Sequence, residues 1–182
     1  MNIQSRLTAL VTDPKKEWSV IATESKDLPT LYREFILIVA AVPAAAMLLR
    51  LTIAGAPSIG VGAAVSGYLV SIAHPILGAL VLEQLAPKFQ SRGTTAQALA
   101  LVAYSSAPVW VAGALMIVPG LGWLATLVGV LYAIYLFWLG LPIVLHTPRE
   151  QIVPFIVVSA IVMLVINLIL SFLLSRSRMY GW

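Results

Sequence analysis

Apolar residues come in five long runs along the chain, separated by short polar or Gly/Pro breaks, at roughly 34–54, 61–82, 96–118, 121–145 and 152–175. Each approaches the ~20 residues that an α-helix needs to cross a hydrocarbon core. Within a bilayer the backbone N–H and C=O groups must be paired inside the segment itself, which makes such runs helices. The pattern predicts an all-α membrane protein, a bundle of five transmembrane helices over 34–175. An amphipathic N-terminal segment, 1–33, precedes it and a short tail, 176–182, follows it. In that first segment Ile3, Leu7, Leu10 and Val11 fall on one helical face. Asp13 and Pro14 suit the N-cap and first position of a second helix. Its apolar side is Trp18, Ile21 and Ala22, with Lys15 and Lys16 opposite. Two short helices in the headgroup plane are the expectation. Their face of Leu7, Leu10 and Trp18 either caps the bundle or docks a cytoplasmic or membrane protein partner. On the docking reading, charges placed there abolish an interaction while the bundle stays folded.

Composition narrows the function classes. Of 182 residues, 60% are hydrophobic and 10% charged, against a soluble average of roughly 45–50% and 25%. Five spans use up the chain and leave no room for a soluble catalytic domain. The net charge of +4 is spread thinly. No Lys/Arg cluster is dense enough for nucleic acid, and membrane lipids are the partner such a surface implies. The chain has no cysteine, so thiolate chemistry and disulfides are excluded. Arg6, Lys15, Lys16, Lys26 and Arg33 precede the first run, Lys88 and Arg92 sit in the second loop and Arg149 in the fourth; the first and third loops have none. The positive-inside rule then puts the N-terminus in the cytoplasm and, with five spans, the C-terminus outside. Arg176 and Arg178 oppose this, two against eight. Ala/Val/Leu-rich runs suggest a bacterial inner membrane. Trp110, Trp123, Tyr180 and Trp182 suit an outer interfacial belt. Arg50, late in the first span, either snorkels to headgroups or offers a cation to an anionic ligand.

The second run has the clearest internal pattern. Gly60, Ala64, Gly67, Ser71, His74 and Gly78 recur at alternating spacings of four and three, so they share a helix face. Small residues let helices approach closely, and packing drives association in lipid. Gly60, Ala64, Gly67 and Gly78 are thus a candidate packing face, serving either this chain or a homo-oligomer. Similar stripes run through the third and fourth runs, and every run contains a proline. His74 directly precedes Pro75, which removes a backbone bond to Ser71. An ionisable residue at membrane depth is a functional candidate, and Ser71, His74, Tyr104 and Asn167 form the candidate intramembrane polar site. The alternative is that hydroxyls and amides such as Tyr104, Ser105, Ser106, Tyr132, Tyr135, Ser159, Asn167 and Ser171 simply bridge helices. No Asp or Glu falls mid-span, and no H-E-x-x-H or G-x-S-x-G occurs. The reading is non-enzymatic, with no catalytic residue, metal site or cofactor implied.

Two stretches carry a family resemblance. Leu10-Val11-Thr12-Asp13-Pro14-Lys15-Lys16-Glu17-Trp18-Ser19-Val20-Ile21-Ala22 precedes a first span with Val42-Pro43, and the third span holds Ala103-Tyr104-Ser105-Ser106-Ala107-Pro108. The chain resembles the bacterial branch of the Yip family, five-span proteins named after eukaryotic Rab-interacting relatives. That resemblance implies a five-helix domain with its N-terminus inside. The eukaryotic relatives bind lipid-modified small GTPases in early secretory membranes, but their aspartate-leucine-tyrosine-glycine-proline motif is missing here. Two functions follow. The first is a scaffold-like protein that organises partners or lipids. The other is a small-solute or ion transporter near His74, whose pH-dependent flux His74→Ala would remove.

Overall fold

The computed structural model describes residues 2–24 and 27–179, with side chains as far as residue 169. Tyr180 and Trp182 of the expected belt lie outside the described residues, as do the side chains of Ser171, Arg176 and Arg178. The described chain is helical, without a strand. Five helices are long and apolar enough to span a membrane: Leu28–Ile53, Pro57–Phe89, Thr95–Ile117, Gly122–Val144 and Arg149–Ile169, the last continuing in backbone to Met179. This is an integral membrane protein.

The helices outrun the apolar runs where polar residues can stay outside. The first span begins at Leu28 rather than near Glu34 because Pro29 occupies its first turn, where a missing N–H costs nothing, and Arg33 and Glu34 remain exposed. It contains a π turn at Tyr32–Ile36. The second span passes Glu83 and Gln84, both exposed, and closes in a 3-10 turn, Ala86–Phe89, with Gln90 at φ 54°. Thr94 starts the third span through a capping box: its Oγ1 accepts from the Gln97 amide at 3.2 Å, and Gln97 Oε1 accepts from the Thr94 amide at 2.8 Å. That span ends before Pro119, and Gly120 takes a left-handed φ of 83° in the turn to the fourth.

The third and fourth spans make the most extensive pairing, followed by the first span with the second and with the third, and then by the second with the third. Close approaches seat on small residues. At Gly129 a Cβ would lie 3.0 Å from the Pro108 carbonyl oxygen, and at Gly78 it would lie 2.9 Å from a Val102 methyl. Tyrosines add polar ties. The Tyr32 hydroxyl donates to the Ile72 carbonyl, and the Tyr68 hydroxyl to the Leu37 carbonyl at 3.0 Å, pinning the first two spans together. The fifth span leans on the second and fourth, with Phe155 stacked on Phe89 at 4.8 Å. Nearby loops are tied by the Arg92 amide to the Leu145 carbonyl (2.8 Å) and Ser91 to Thr147 (2.9 Å).

The N-terminal segment folds as a hairpin of α1, Ile3–Thr12, and α2, Pro14–Thr23. Asn2 and Asp13 cap them, their side chains accepting from the amides of Gln4 and Lys16. The hairpin is packed into the bundle along the fourth span, with Leu10, Trp18 and Ile21 buried in the common core.

Candidate functional site

Apart from the Ser91–Thr147 tie, the described residues gather polar groups out of solvent in two places. The first is the key that locks the hairpin. Arg6 projects from α1 with 2% of its surface exposed, and its guanidinium pairs with Glu17 and Glu24. Burying a guanidinium costs several kcal/mol unless its charge and donors are met, and two carboxylates meet them here. The planar cation also lies 5.1 Å above the Tyr104 ring, a contact that suits arginine better than lysine. Phe35 packs on the same ring at 4.6 Å and Trp18 meets it edge-on at 6.5 Å. Trp18 fits only because position 140 is glycine: a Cβ there would stand 2.9 Å from its indole and 2.5 Å from Leu101. The Tyr132 hydroxyl then donates to the Leu10 carbonyl at the end of α1, at 3.0 Å.

This arrangement corrects the expected docking face. Leu10 and Trp18 are 1% and 0% exposed and contact their own chain, and Leu7 packs partly buried against the same core. The amphipathic side faces the third and fourth spans because Tyr104, Leu101 and Gly140 offer it a shaped seat. The residues that the hairpin shows outward include Val11, Asp13, Lys15, Lys16, Ser19 and Val20.

The second place is a cavity of about 520 Å³ among all five spans. Ser71 and His74 reach it from the second span, Ser105 and Ser106 from the third, Thr126 from the fourth and Ser159 from the fifth; the rest of the lining is apolar, apart from the indole of Trp110. Ser106 and Thr126 bond back to the carbonyls of Val102 and Gly122, each at 2.8 Å. The buried Ser105 and Ser159 hydroxyls find no protein partner among the described residues.

The structure thus brings together two of the four residues of the candidate polar site. Tyr104 points the other way, into the Arg6 cluster. Asn167 donates to the Met163 carbonyl at 2.8 Å, one turn past the cavity lining. Of the candidate packing face, Gly60 meets Leu51 and Leu48, Ala64 is buried and Gly78 meets Val102, whereas Gly67 faces open space. Arg50 is exposed in the last turn of the first span. Sequence reasoning missed Arg6 and Glu17, whose burial depends on a hairpin closure that no periodicity reveals. Ser105 and Ser159 were visible only as hydroxyls among several.

Comparisons with known proteins agree with this architecture. A family model described as the Yip1 domain matches residues 8–172. Two Escherichia coli proteins named inner membrane protein YohC, from strain K12 and from O6:H1, are each 26% identical to this chain over 161 residues, which cover 81% of it and 82% of the relative. No solved structure matches significantly.

Proposed function

The chain belongs to the Yip1 domain family, and from that premise we propose that it is a non-enzymatic protein of the bacterial inner membrane that organises lipids or protein partners at the cytoplasmic face. The observation that carries this reading is the keyed hairpin. Arg6, Trp18 and Leu10 hold it against the bundle, so its outer side is a fixed surface. That side combines Lys15 and Lys16 with the exposed apolar residues Val11 and Val20. Basic and apolar groups side by side suit an anionic headgroup layer or a protein that approaches along it. The relatives named as inner membrane proteins support the compartment, and the loop charges support the orientation, with the hairpin in the cytoplasm.

The test uses Val11→Glu/Val20→Glu and Lys15→Gln/Lys16→Gln in the full chain. Crosslinking in native membranes should lose a specific partner, or purified protein should retain less anionic lipid, while thermal stability stays within about 0.5 kcal/mol, as for surface changes. Unchanged partners and lipid would refute the reading. Orientation is checked directly because the chain has no cysteine: Lys16→Cys should be labelled only from the cytoplasm and Ser58→Cys only from outside.

One observation favours a second reading, a small-solute pathway: His74 lines the cavity. It requires flux in proteoliposomes that His74→Ala removes, and flux indifferent to that change would exclude this lining.

A further inference from the structure

The mid-bundle cavity has a chemistry of its own, separate from the hairpin. A serine in a membrane helix usually satisfies its hydroxyl on the carbonyl of the preceding turn, as Ser66 and Ser106 do here. Ser105 and Ser159, 4% and 5% exposed, do not. Both line the cavity, and so does the imidazole of His74. A buried hydroxyl without a partner is costly in an apolar surround, so these groups are arranged for something that supplies one.

Size, lining and rim restrict what that is. About 520 Å³ falls within the range of roughly 300–1,000 Å³ typical of small-molecule sites. Among the described residues no Asp, Glu, Lys or Arg lines it, so an ion or charged headgroup would be desolvated without compensation. The polar groups are few and the walls mostly aliphatic, which leaves a sugar or nucleotide with many unmet hydrogen bonds. Val70, Val130 and Ile134 belong to the lining and are each more than a third exposed. They form an apolar rim on helices that face lipid. We propose that this cavity binds an uncharged amphiphile, a hydrocarbon body carrying one hydroxyl or ester carbonyl, taken in sideways from the bilayer. The hydrocarbon lies along Val102, Val109 and Phe137, and the oxygen meets Ser105, Ser159 and His74.

The test places the full chain in nanodiscs of phosphatidylethanolamine and phosphatidylglycerol. It is photolabelled with a diazirine-bearing long-chain alcohol or with phosphatidylglycerol carrying the diazirine in one acyl chain. Adducts are mapped by mass spectrometry. They should concentrate on Ser71, His74, Ile156 and Ser159 and be competed by unlabelled alcohol. Ser105→Ala/Ser159→Ala should raise the probe concentration needed by about fivefold or more, as expected for losing hydrogen bonds to a ligand. Ala160→Phe keeps every hydroxyl and narrows the cavity, so it should abolish these adducts and spare those on the outer surface. Labelling by the alcohol supports the site, whereas labelling by the anionic phospholipid alone would overturn an uncharged occupant. Adducts spread equally over Leu69, Leu131 and Leu168, or cavity adducts indifferent to both variants, would overturn it.

Discussion

A guanidinium buried to the degree of Arg6 is tolerable only while its carboxylates stay beside it. Arg6→Ala leaves Glu17, itself 8% exposed, as an uncompensated buried charge. The expected loss is about 3–5 kcal/mol, read as a lowered thermal midpoint in detergent. Replacing the whole set, Arg6→Met with Glu17→Gln and Glu24→Gln, should cost much less, because no charge is stranded. An equal loss in both variants would mean that the pairing is not what holds α1. The seat of Trp18 makes a parallel case. Gly140→Ala pushes a methyl against the indole and Leu101 and should destabilise by about 1–3 kcal/mol through overpacking. Trp18→Ala should cost about 3–5 kcal/mol through the cavity it leaves. Arg6 was legible in the sequence only as one of five basic residues. Its carboxylates sit on α2 and just beyond it, and the pairing exists only once the hairpin has closed.

Among the elements, the second span shows how far a small-residue stripe can be read. The stripe runs 60, 64, 67, 71, 74 and 78, and its two ends are five turns of about 3.6 residues apart, so Gly60 and Gly78 lie on one face of the helix. Different neighbours cross that face at different heights: Gly60 meets the first span and Gly78 the third, whereas Gly67 faces open space. Gly78→Ala should destabilise, since the added methyl meets the buried Val102 at 2.9 Å. Gly67→Ala should be neutral or stabilising by up to about 1 kcal/mol, the helix-propensity difference. Equal effects in parallel thermal melts would contradict the assigned contacts. The same pair of spans is held by Tyr32 and Tyr68. Removing either hydroxyl as phenylalanine should cost about 0.5–1.5 kcal/mol. The number and type of the spans were legible because lipid enforces long apolar helices. Which faces met was not, because any apolar face is compatible with lipid.

At the scale of the molecule, the hairpin is part of the bundle's core rather than an appendage. Deleting residues 2–24 would uncover Leu101, Tyr104 and Phe35, all now buried, beside a headgroup layer they do not suit. The truncated chain should aggregate or unfold at a lower temperature, as followed by size-exclusion chromatography of detergent extracts. A monodisperse truncated chain with an unchanged midpoint would show that the spans are self-sufficient. Hydropathy conveyed a bundle with amphipathic helices before it. It could not show that those helices turn their apolar side toward the fourth span, since that depends on one glycine, Gly140, far along the chain. The seat of the hairpin also fixes an order of events during synthesis. Arg6 leaves the ribosome first, while Tyr104 and Gly140 follow on the order of ten seconds or more later at ordinary elongation speeds. Until the fourth span is in place the arginine has no pocket to enter and must wait in water. Closure of the hairpin therefore waits for the fourth span, and a buried Arg6 is a chemical record that at least four spans have inserted.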